Sequence, residues 1–412
     1  MYFLGGTPSF FYLCRMLKLT SEIFKWIEEH QNDDVTKLRL RYHKQMTAEL
    51  DFAIMQIECR KKATKKLYQT LQNKQFVFPT TLSAEQCTSD LLSKFHATLI
   101  DDGVSLVDLT SGLGIDVYHF AQKAKSVTAV ERIPEIAQAV IYNAEILRLN
   151  NVDVENVDCC EFVKKTNKHF DVAFIDPARR GDGGKRLFAL CDCEPDVTVL
   201  VNEIKKKCNK LIVKVSPMLD ISQVQRELPG ISEIYAIGTP QECKEIVVIL
   251  DFVTKTKFIK IHAVTLDKEK TIKISFIKDE ESNSLITYQL PQEGGYLYEP
   301  FPSVMKIAPF KLLSKKYNVG KLHSNTHLYT SHIYRDEFPG EVFKIEHIIP
   351  FSSKEIKRFS MQYPQINVAT RNFMMSADDL RLKLKVKDGG DKRVFGCTIL
   401  EGSRHLIVTS KV

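Results

Sequence analysis

The chain has 412 residues, enough for roughly two to four domains that each have their own core. Its hydrophobic fraction of 44% and charged fraction of 26% are those of an ordinary soluble protein, and it has no run of about 18 apolar residues for a membrane span. The ten cysteines include no CxxC pair and follow no secretory leader, so we expect reduced thiols in a cytoplasmic protein. These features exclude membrane-spanning and disulfide-stapled secreted proteins.

The N-terminal part of the chain has a helical pattern. Residues 1–15 resemble a signal sequence, but no basic region precedes their apolar part and no small-residue cleavage site follows it. We expect them to be an upstream extension of the coding frame or a loosely packed tail. From Thr20 to Lys74 apolar residues recur at three- and four-residue steps, which predicts a helical domain over 16–80. Its basic run, Arg60 to Lys66, is either a solvated helix face or a binding surface.

A glycine turn lies between two predicted strands in the stretch 106–131. Gly112 and Gly114 are expected to take positive φ angles and to let a ligand approach with no Cβ in the way. A dinucleotide-binding fingerprint would need a third glycine where this chain has Val117. The loop therefore predicts a nucleotide-type cradle of a different class.

Acidic residues follow successive predicted strands. Asp108 ends the first strand, where it would repel a pyrophosphate but attract the ammonium group of a ligand such as S-adenosylmethionine. Glu131 ends the second strand and can accept hydrogen bonds from two ribose hydroxyls. Asp158 follows the third strand and can face an adenine amine, and Asp176 ends the fourth, directly before Pro177. This ordered set predicts a cofactor and acceptor site at one edge of a sheet.

The alternation of strands and helical patterns predicts an α/β fold with a parallel sheet. A final antiparallel hairpin is expected at 233–239 and 245–252. The parallel strands are expected at about 105–108, 127–131, 153–157, 171–176 and 211–215. After residue 251 alternating polar and apolar residues predict antiparallel strands and the start of a new domain.

The glycine loop, the acids and the Asp-Pro pair resemble the class I methyltransferases over roughly residues 85–250. A narrower set of motifs is similar to a bacterial family of methyltransferases with a THUMP-like C-terminal domain, itself similar to the trimethylguanosine-synthase-like enzymes that methylate guanine N2 in RNA. Those motifs are PTTLSAEQCTSD, DLTSGLGID, VERIPEIAQAVIYNAEILRLN, DPARR, LCDCEPDV, VKVSPMLD, ECKEIVV, YLYEPFPSVMKIAPF, KLHSNTHLYTS and ATRNF. The resemblance implies a Rossmann-like methyltransferase sheet at 81–252, a β-rich, ferredoxin-like connecting region at 253–340 and an α+β THUMP-like domain at 341–412.

The resemblance also implies S-adenosylmethionine as the cofactor. Residues Ser83 to Gln86 fit a capping box, which is expected to start a helix. The resemblance implies that this segment closes over the cofactor, with Gln86 as the contact. The expected cofactor-binding residues are Gln86, Asp108, Thr110, Gly112, Gly114, Asp116, Glu131, Arg132, Asp158 and Cys159. No metal is expected, because the Cys191-Asp192-Cys193 motif lacks a second ligand pair.

The expected catalytic residues are Asp176, Pro177, Arg179 and Lys214. Asp176 and the Pro177 carbonyl can hold the N–H groups of an exocyclic amine so that its lone pair points at the methyl group. Arg179 can stack on a base, hold a phosphate or pair with an acid, and it stands where the amine methyltransferases have an aromatic ring. Lys214 is either a second phosphate or base contact or a buried strand lysine paired with Asp176 or Asp220.

A cysteine nucleophile, as in pyrimidine C5 methylation, is disfavoured because Cys159 and Cys160 follow the expected adenine-site acid and not the Asp-Pro turn. Residues 296–412 contain 19 Lys and Arg and 11 Asp and Glu, a net charge of +8, against +7 for the whole chain. A basic module beside a methyltransferase domain fits an RNA clamp. We therefore expect an RNA methyltransferase acting on tRNA or rRNA, at a purine exocyclic amine with guanine N2 favoured. A protein or small-molecule methyltransferase and an RNA-binding module with a vestigial cofactor site are the alternatives.

Overall fold

The computed structural model describes residues 20–179, 189–254, 256–267 and 270–412. Residues 1–15, for which we expected an extension, lie outside this part. The chain divides into two compact units, one formed by residues up to 231 with 248–255 and the other by 232–247 with the residues from 256 onward. Within the described ranges, every helix is too short or too polar to cross a membrane.

From residue 20 onward, the described part of the first unit starts with three helices, which confirm the helical pattern expected before residue 74. They are α1 (Ser21–His30), α2 (Val35–Tyr42) and α3 (Ala48–Ala63). Asp34 and Thr47 cap α2 and α3 by accepting hydrogen bonds from backbone N–H groups of the first turn. The apolar faces meet in a common core that includes Phe24, Ile27 and Phe52.

The extended link at 76–79 is held by two buried side-chain amides instead of a neighbouring strand. Gln56 in α3 donates from Nε2 to the Phe78 carbonyl at 2.8 Å and accepts at Oε1 from the Phe78 N–H at 2.9 Å. Asn143 donates from Nδ2 to the Val77 carbonyl at 2.9 Å and accepts at Oδ1 from the Val77 N–H at 2.9 Å. Both amides are fully buried, so they supply the backbone partners that the interior requires.

Two short helices follow this link, α4 (Thr81–Gln86) and α5 (Asp90–His96). The expected capping box at Ser83 is wrong, because Thr80 Oγ1 caps α4 by accepting from the Ser83 N–H at 3.0 Å. Thr80 follows Pro79 with an extended backbone, which allows its hydroxyl to reach the first turn three residues earlier than expected. Ser89 caps α5 in the same way.

The first unit contains a parallel sheet with the strand order β7-β4-β1-β2-β3. Its strands are β1 (Ser105–Asp108), β2 (Ser126–Val130), β3 (Val152–Glu155), β4 (Phe170–Ile175) and β7 (Cys208–Val215), with a small antiparallel pair β5 (Ala178–Arg179) and β6 (Cys193–Glu194) after β4. The helices between them are α6 (Ile115–Ala121), α7 (Pro134–Ile146), α8 (Cys159–Lys165), α9 (Val197–Ile204) and α10 (Ile221–Glu227). The central strands are apolar and buried, as expected of a sheet covered on both faces.

The expected hairpin corresponds to β8 (Ile231–Gly238) and β9 (Cys243–Asp251). In the second unit β10 (Lys260–Leu266) and β11 (Thr271–Ile277) pair antiparallel, as predicted. However, β10 also pairs in parallel with β8, from Lys260 beside Glu233 to Thr265 beside Gly238. This pairing was not expected, since we predicted that these strands open a new domain. It satisfies the backbone groups of the β8 edge, which would otherwise be free.

The rest of the second unit is a seven-stranded sheet with helices, in the order β13-β14-β12-β15-β18-β17-β16. From residue 340 onward the order is strand, helix, strand, helix and hairpin, which agrees with the expected α+β fold, and β16 and β17 form a parallel pair. The elements are α11 (Lys278–Ser282), β12 (Tyr296–Pro300), α12 (Pro302–Ile307), α13 (Phe310–Tyr317), β13 (Gly320–His323), β14 (Thr326–Ser331), β15 (Gly340–Pro350), α14 (Ser353–Gln362), β16 (Asn367–Arg371), α15 (Ala377–Leu384), β17 (Lys392–Thr398) and β18 (Arg404–Lys411).

The buried amides generate a stability prediction. Gln56→Leu and Asn143→Leu each leave a buried N–H and a buried carbonyl of the 76–79 link without partners, so each should lower the free energy of unfolding by about 2–4 kcal/mol. Urea unfolding measures this. The exposed Gln31→Leu is the control and should change stability by less than about 0.5 kcal/mol. Losses as small as that of the control would show that the two amides do not hold the link.

Candidate functional site

The loop between β1 and α6 turns sharply at two glycines. Gly112 has φ +52° and Gly114 has φ +84°, as the sequence predicted. The loop is closed by the Gly114 N–H, which donates to the Ser111 carbonyl at 2.9 Å. At Gly112 an added Cβ would have its nearest contact 4.0 Å away, so this side of the loop is open to a ligand.

At Gly114 a neighbouring ring takes up the space where a Cβ would lie, and the expected cofactor contact of Gly114 stays a prediction. A Cβ at this position would lie 2.7 Å from Tyr118 Oη and 2.8 Å from Tyr118 Cζ. The Tyr118 hydroxyl donates to the Leu113 carbonyl at 2.9 Å and supports the loop from within the unit. The missing side chain at Gly114 thus gives room to the Tyr118 ring, whereas the room at Gly112 remains open.

Asp108 is buried at the end of β1, with 1% of its surface exposed. Its Oδ1 accepts from the Thr110 N–H at 3.0 Å. Burial raises the pKa of Asp108 well above its usual range, and the nearby carboxylates of Asp116 and Asp176 raise it further, while the Thr110 N–H and Lys214 oppose the rise. Positive charge therefore compensates the ionised form of Asp108 only in part.

Glu131 follows β2 and is also buried. Its Oε2 accepts from the Gly112 N–H at 3.1 Å and its Oε1 accepts from the Ile133 N–H at 2.8 Å. Burial raises the pKa of Glu131, and these backbone N–H groups oppose the rise. The contact with Gly112 places the end of β2 directly against the glycine loop, as the sequence predicted.

Asp158 is exposed and caps α8, because its Oδ1 accepts from the N–H groups of Cys160 at 2.9 Å and Glu161 at 3.3 Å. Cys159 is buried, which raises the pKa of its thiol to about 12. Ligand atoms of Asp158, Cys159 and Cys160 lie within 4.8 Å of one another, although one carboxylate oxygen is already used for capping. The expectation that no metal is bound stays a prediction.

Two other expected cofactor residues are placed at the surface. Arg132 donates from Nη1 to Glu194 Oε1 at 2.6 Å, which connects the end of β2 to β6. Gln86 is exposed at the last residue of α4. Their roles as cofactor contacts stay predictions.

Asp176 follows β4, and its backbone N–H donates to Thr110 Oγ1 at 2.7 Å. Its side chain is 43% exposed and accepts at Oδ2 from Lys214 Nζ at 2.6 Å. Lys214 is itself buried, which favours the second of the two interpretations, a buried partner of Asp176. Pro177 is half-buried, and Arg179 lies in β5.

Two residues that the sequence did not indicate complete the charge network. Thr88, between α4 and α5, donates from Oγ1 to Asp116 Oδ2 at 2.7 Å, and His96 Nδ1 lies 2.7 Å from Asp116 Oδ1. Burial alone would raise the pKa of Asp116, but the charges of His96 and Lys214 hold it well below its usual range. No local pattern marks Thr88 or His96, because their partners are distant in the sequence.

The basic run at the end of α3 and in the turn after it, Arg60 to Lys66, mostly contacts other groups of the first unit. Arg60 donates to two backbone carbonyls, Lys62 pairs with two glutamates, and Lys61 and Lys66 donate to backbone carbonyls. The groups that these residues contact belong to Asp33, Glu58, Lys74, Phe76 and Glu85. These contacts favour a structural role over an RNA contact for all of the run except Lys65.

The parallel sheet, the open glycine loop and the acids at the ends of β1, β2 and β4 define a class I methyltransferase architecture. A crystal structure of a "putative methyltransferase" from Porphyromonas gingivalis W83 is similar over 95% of this chain and 98% of that one, with 32% sequence identity and a TM-score of 0.85. Residues 296–339 match a ferredoxin-like domain family, and residues 340–411 match a THUMP domain-like family. The chain therefore belongs to the family of methyltransferases with a THUMP-like domain.

Curated relatives match smaller parts of the chain. An uncharacterized RNA methyltransferase of Mycoplasma mobile is 28% identical over 153 residues, which are 36% of this chain and 41% of that protein. The 23S rRNA (uracil(1939)-C(5))-methyltransferase RlmD of Vibrio vulnificus is 37% identical over 82 residues, which are 19% of each chain. The chain thus spans less than half the length of these relatives.

The loop geometry generates a second stability prediction. Gly114→Ala combines a positive φ with a clash against Tyr118, so it should cost about 3 kcal/mol of unfolding free energy. Gly103→Ala is the matched control, since Gly103 has φ +75° but nothing within 4 Å of an added Cβ, and it should cost about 1 kcal/mol. Urea unfolding compares the two variants. Equal losses would contradict the proposed contact between residue 114 and Tyr118.

Proposed function

We propose that this protein is an S-adenosylmethionine-dependent RNA methyltransferase that acts on an exocyclic amine of a purine, with guanine N2 as the favoured target. The observation that carries the proposal is the set of carboxylates at the ends of β1, β2 and β4, which surround one glycine loop. Such a set suits a cationic nucleoside cofactor and an amine acceptor better than it suits an anionic nucleotide. The curated relatives support RNA as the substrate.

The residues around the glycine loop fit the cofactor. Asp108 is a buried carboxylate with too little positive charge around it, which a cationic ligand supplies. Ser111 Oγ is buried and has no hydrogen-bond partner among the described residues, so it can bind a polar group of the ligand. The open side of Gly112 allows close approach to the backbone. When bound, the cofactor supplies an activated methyl group on a sulfonium.

Glu131 fits the ribose. Each of its carboxylate oxygens accepts one backbone N–H, which fixes the side chain and leaves a lone pair on each oxygen for a ribose hydroxyl. Asp158 presents its second carboxylate oxygen beside the start of α8, where it can accept from the adenine amine. Arg132 forms an ion pair with Glu194, which connects this region to β6.

The acceptor site is built around Asp176. Lys214 occupies Oδ2, so Oδ1 and the Pro177 carbonyl are the acceptors that we assign to the two N–H groups of an exocyclic amine. Holding both N–H groups directs the nitrogen lone pair at the methyl group and excludes water from it. An exposed Asp176 beside a buried Lys214 therefore positions the acceptor and needs little base strength.

RNA binding is assigned to the second unit. The +8 net charge of residues 296–412 is suited to a polyanion, and the THUMP domain-like match covers residues 340–411. The relative from Mycoplasma mobile is described as an RNA methyltransferase. Because Arg60 and most of its basic neighbours bind groups of the first unit, we assign them no RNA contact.

The RlmD match favours one other candidate function, methylation of uracil at C5. That chemistry uses a cysteine nucleophile. Cys159 is unsuited to it, because burial raises its thiol pKa to about 12. Cys193 is buried in β6. Backbone pairing places it beside Arg179 in β5, and Arg179 follows Pro177 by two residues. The two candidates differ in their products, since one gives a methylated guanosine amine and the other gives 5-methyluridine.

The buried Asp108 predicts a pH-dependent cofactor affinity. A cationic cofactor binds the ionised carboxylate, whose pKa is raised in the free protein, so affinity should increase as the pH rises through that pKa. Calorimetric titration from roughly pH 5 to 9 should also show proton release on binding. Asp108→Asn should weaken binding at least about tenfold while raising the melting temperature of the free protein. A pH-independent affinity in the wild type would contradict this role.

The role of Asp176 is tested by single-turnover transfer of labelled methyl groups to extracted RNA. Asp176→Asn should slow the transfer by about 100-fold or more and change cofactor affinity by less than about threefold. The exposed Asp153→Asn is the control and should retain the wild-type rate. A rate for Asp176→Asn within about threefold of wild type would assign Asp176 to structure.

Nucleoside mass spectrometry of the same RNA separates the candidate functions. A methylated guanosine amine supports the proposed function, whereas 5-methyluridine supports cysteine-dependent C5 methylation. Label in protein or small molecules but not in RNA would overturn RNA as the substrate.

A further inference from the structure

We propose that Thr88, Asp116 and His96 form a positioning unit that holds Lys214 against Asp176, so that methyl transfer depends on side chains that do not touch the acceptor. This inference rests on the proposed function of Asp176. It concerns residues before β1 and in α6, which neither the motifs nor the relatives assign to the acceptor site.

The sheet register places Lys214 beside Asp176. Ile175 at the end of β4 is in register with Val213 in β7, and the next residue on each strand is Asp176 and Lys214. Neighbouring residues in register on parallel strands point to the same face, so the two side chains meet at the carboxyl end of the sheet. Their atoms Oδ2 and Nζ are 2.6 Å apart.

Thr88 fixes the other side of the lysine ammonium. A threonine hydroxyl has one proton, and Thr88 Oγ1 lies 2.7 Å from Asp116 Oδ2 and 3.1 Å from Lys214 Nζ. Since the Lys214 ammonium can only donate, the Thr88 hydroxyl accepts a hydrogen bond from Nζ and donates its own hydrogen bond to Asp116. Thr88 therefore has a single hydrogen-bond direction, and the Lys214 ammonium is held between its oxygen and Asp176.

Asp116 is fixed in turn by His96. The His96 ring is fully buried, and its Nδ1 lies 2.7 Å from Asp116 Oδ1. Asp116 Oδ2 lies 4.0 Å from Lys214 Nζ, so the carboxylate also attracts the ammonium directly. The unit thus connects three segments, α5 through His96, the first turn of α6 through Asp116 and β7 through Lys214.

This arrangement matters for chemistry because a lysine side chain is long and has four rotatable bonds. Without the Thr88 oxygen the ammonium can leave its position, and Asp176 then loses the contact that orients its carboxylate. Sub-ångström misplacement of the acceptor group is costly in a reaction that depends on alignment. A purely structural role of Thr88 would lower stability but would leave the rate of folded, saturated protein unchanged.

The test is a set of Thr88 variants in the full chain, assayed with labelled S-adenosylmethionine and extracted RNA. Thr88→Val should lower the single-turnover rate at saturating cofactor about tenfold, with cofactor affinity within about twofold of wild type. Thr88→Ser restores the hydroxyl and should return the rate to within about threefold. The control Thr98→Val removes an exposed hydroxyl from the same part of the chain, where Thr98 donates to the Phe95 carbonyl, and should have the wild-type rate.

A double-mutant comparison gives the decisive outcome. In a Lys214→Met background, Thr88→Val should cause no further loss, because the group that it positions is gone. An independent further loss, a wild-type rate in Thr88→Val or a failure of serine to restore the rate would each overturn the inference.

A crystal structure of Thr88→Val separates failure of this inference from failure of the proposed function. If wild-type protein methylates no RNA, the proposed function fails, but displacement of Lys214 from Asp176 in the variant would still support the positioning unit. An unchanged contact between Lys214 and Asp176 in that variant would overturn it whatever the activity.

Discussion

The burial of Asp108 at the end of β1 is the main electrostatic constraint on the carboxyl edge of the parallel sheet. An ionised carboxylate in this place is disfavoured by desolvation and by two neighbouring acids, and the Thr110 N–H and the charge of Lys214 offset only part of that cost. A fold that served stability alone would place an apolar or amide side chain here. The buried acid is thus a local cost to stability, which a cation bound beside it would reverse.

The same parallel register that buries Asp108 also brings the other charged groups together. β1 lies between β2 and β4, so acids that follow these strands meet at one edge of the sheet. Their repulsion is limited by different means at each position. Glu131 is held by backbone N–H groups, Asp176 is exposed and paired with Lys214, and Asp116 is held by Thr88 and His96. Among these acids, Asp108 has the least compensation of its negative charge by neighbouring groups.

Much of this edge could be predicted from sequence, because local patterns determine it. Apolar runs of strand length predicted strands whose boundaries lie within a few residues of those observed. An acid that follows such a strand is expected at the carboxyl edge of a parallel sheet. Positive φ at Gly112 and Gly114 follows from the tight turn. These features depend on residues close to one another in the chain.

The features that the sequence did not indicate depend on contacts between distant segments. The cap of α4 at Thr80, the Tyr118 ring under Gly114, the pairing of β10 with β8 and the hydroxyl of Thr88 are each determined by which groups meet in three dimensions. The basic run in α3 shows the same limit. Its charge pattern is that of a binding surface, but nearby carbonyls and glutamates take up most of its donors.

The turn after Asp176 has Ala178 and Arg179 where the motif of amine methyltransferases has a proline and an aromatic residue. Ala178 and Arg179 form β5, and Ala178 pairs with Glu194 in β6. Glu194 also binds Arg132, which directly follows Glu131. Backbone pairing and one ion pair therefore connect the turn after Asp176 to the end of β2. The ion pair between Arg132 and Glu194 joins residues 62 positions apart, so no local sequence pattern predicts this connection.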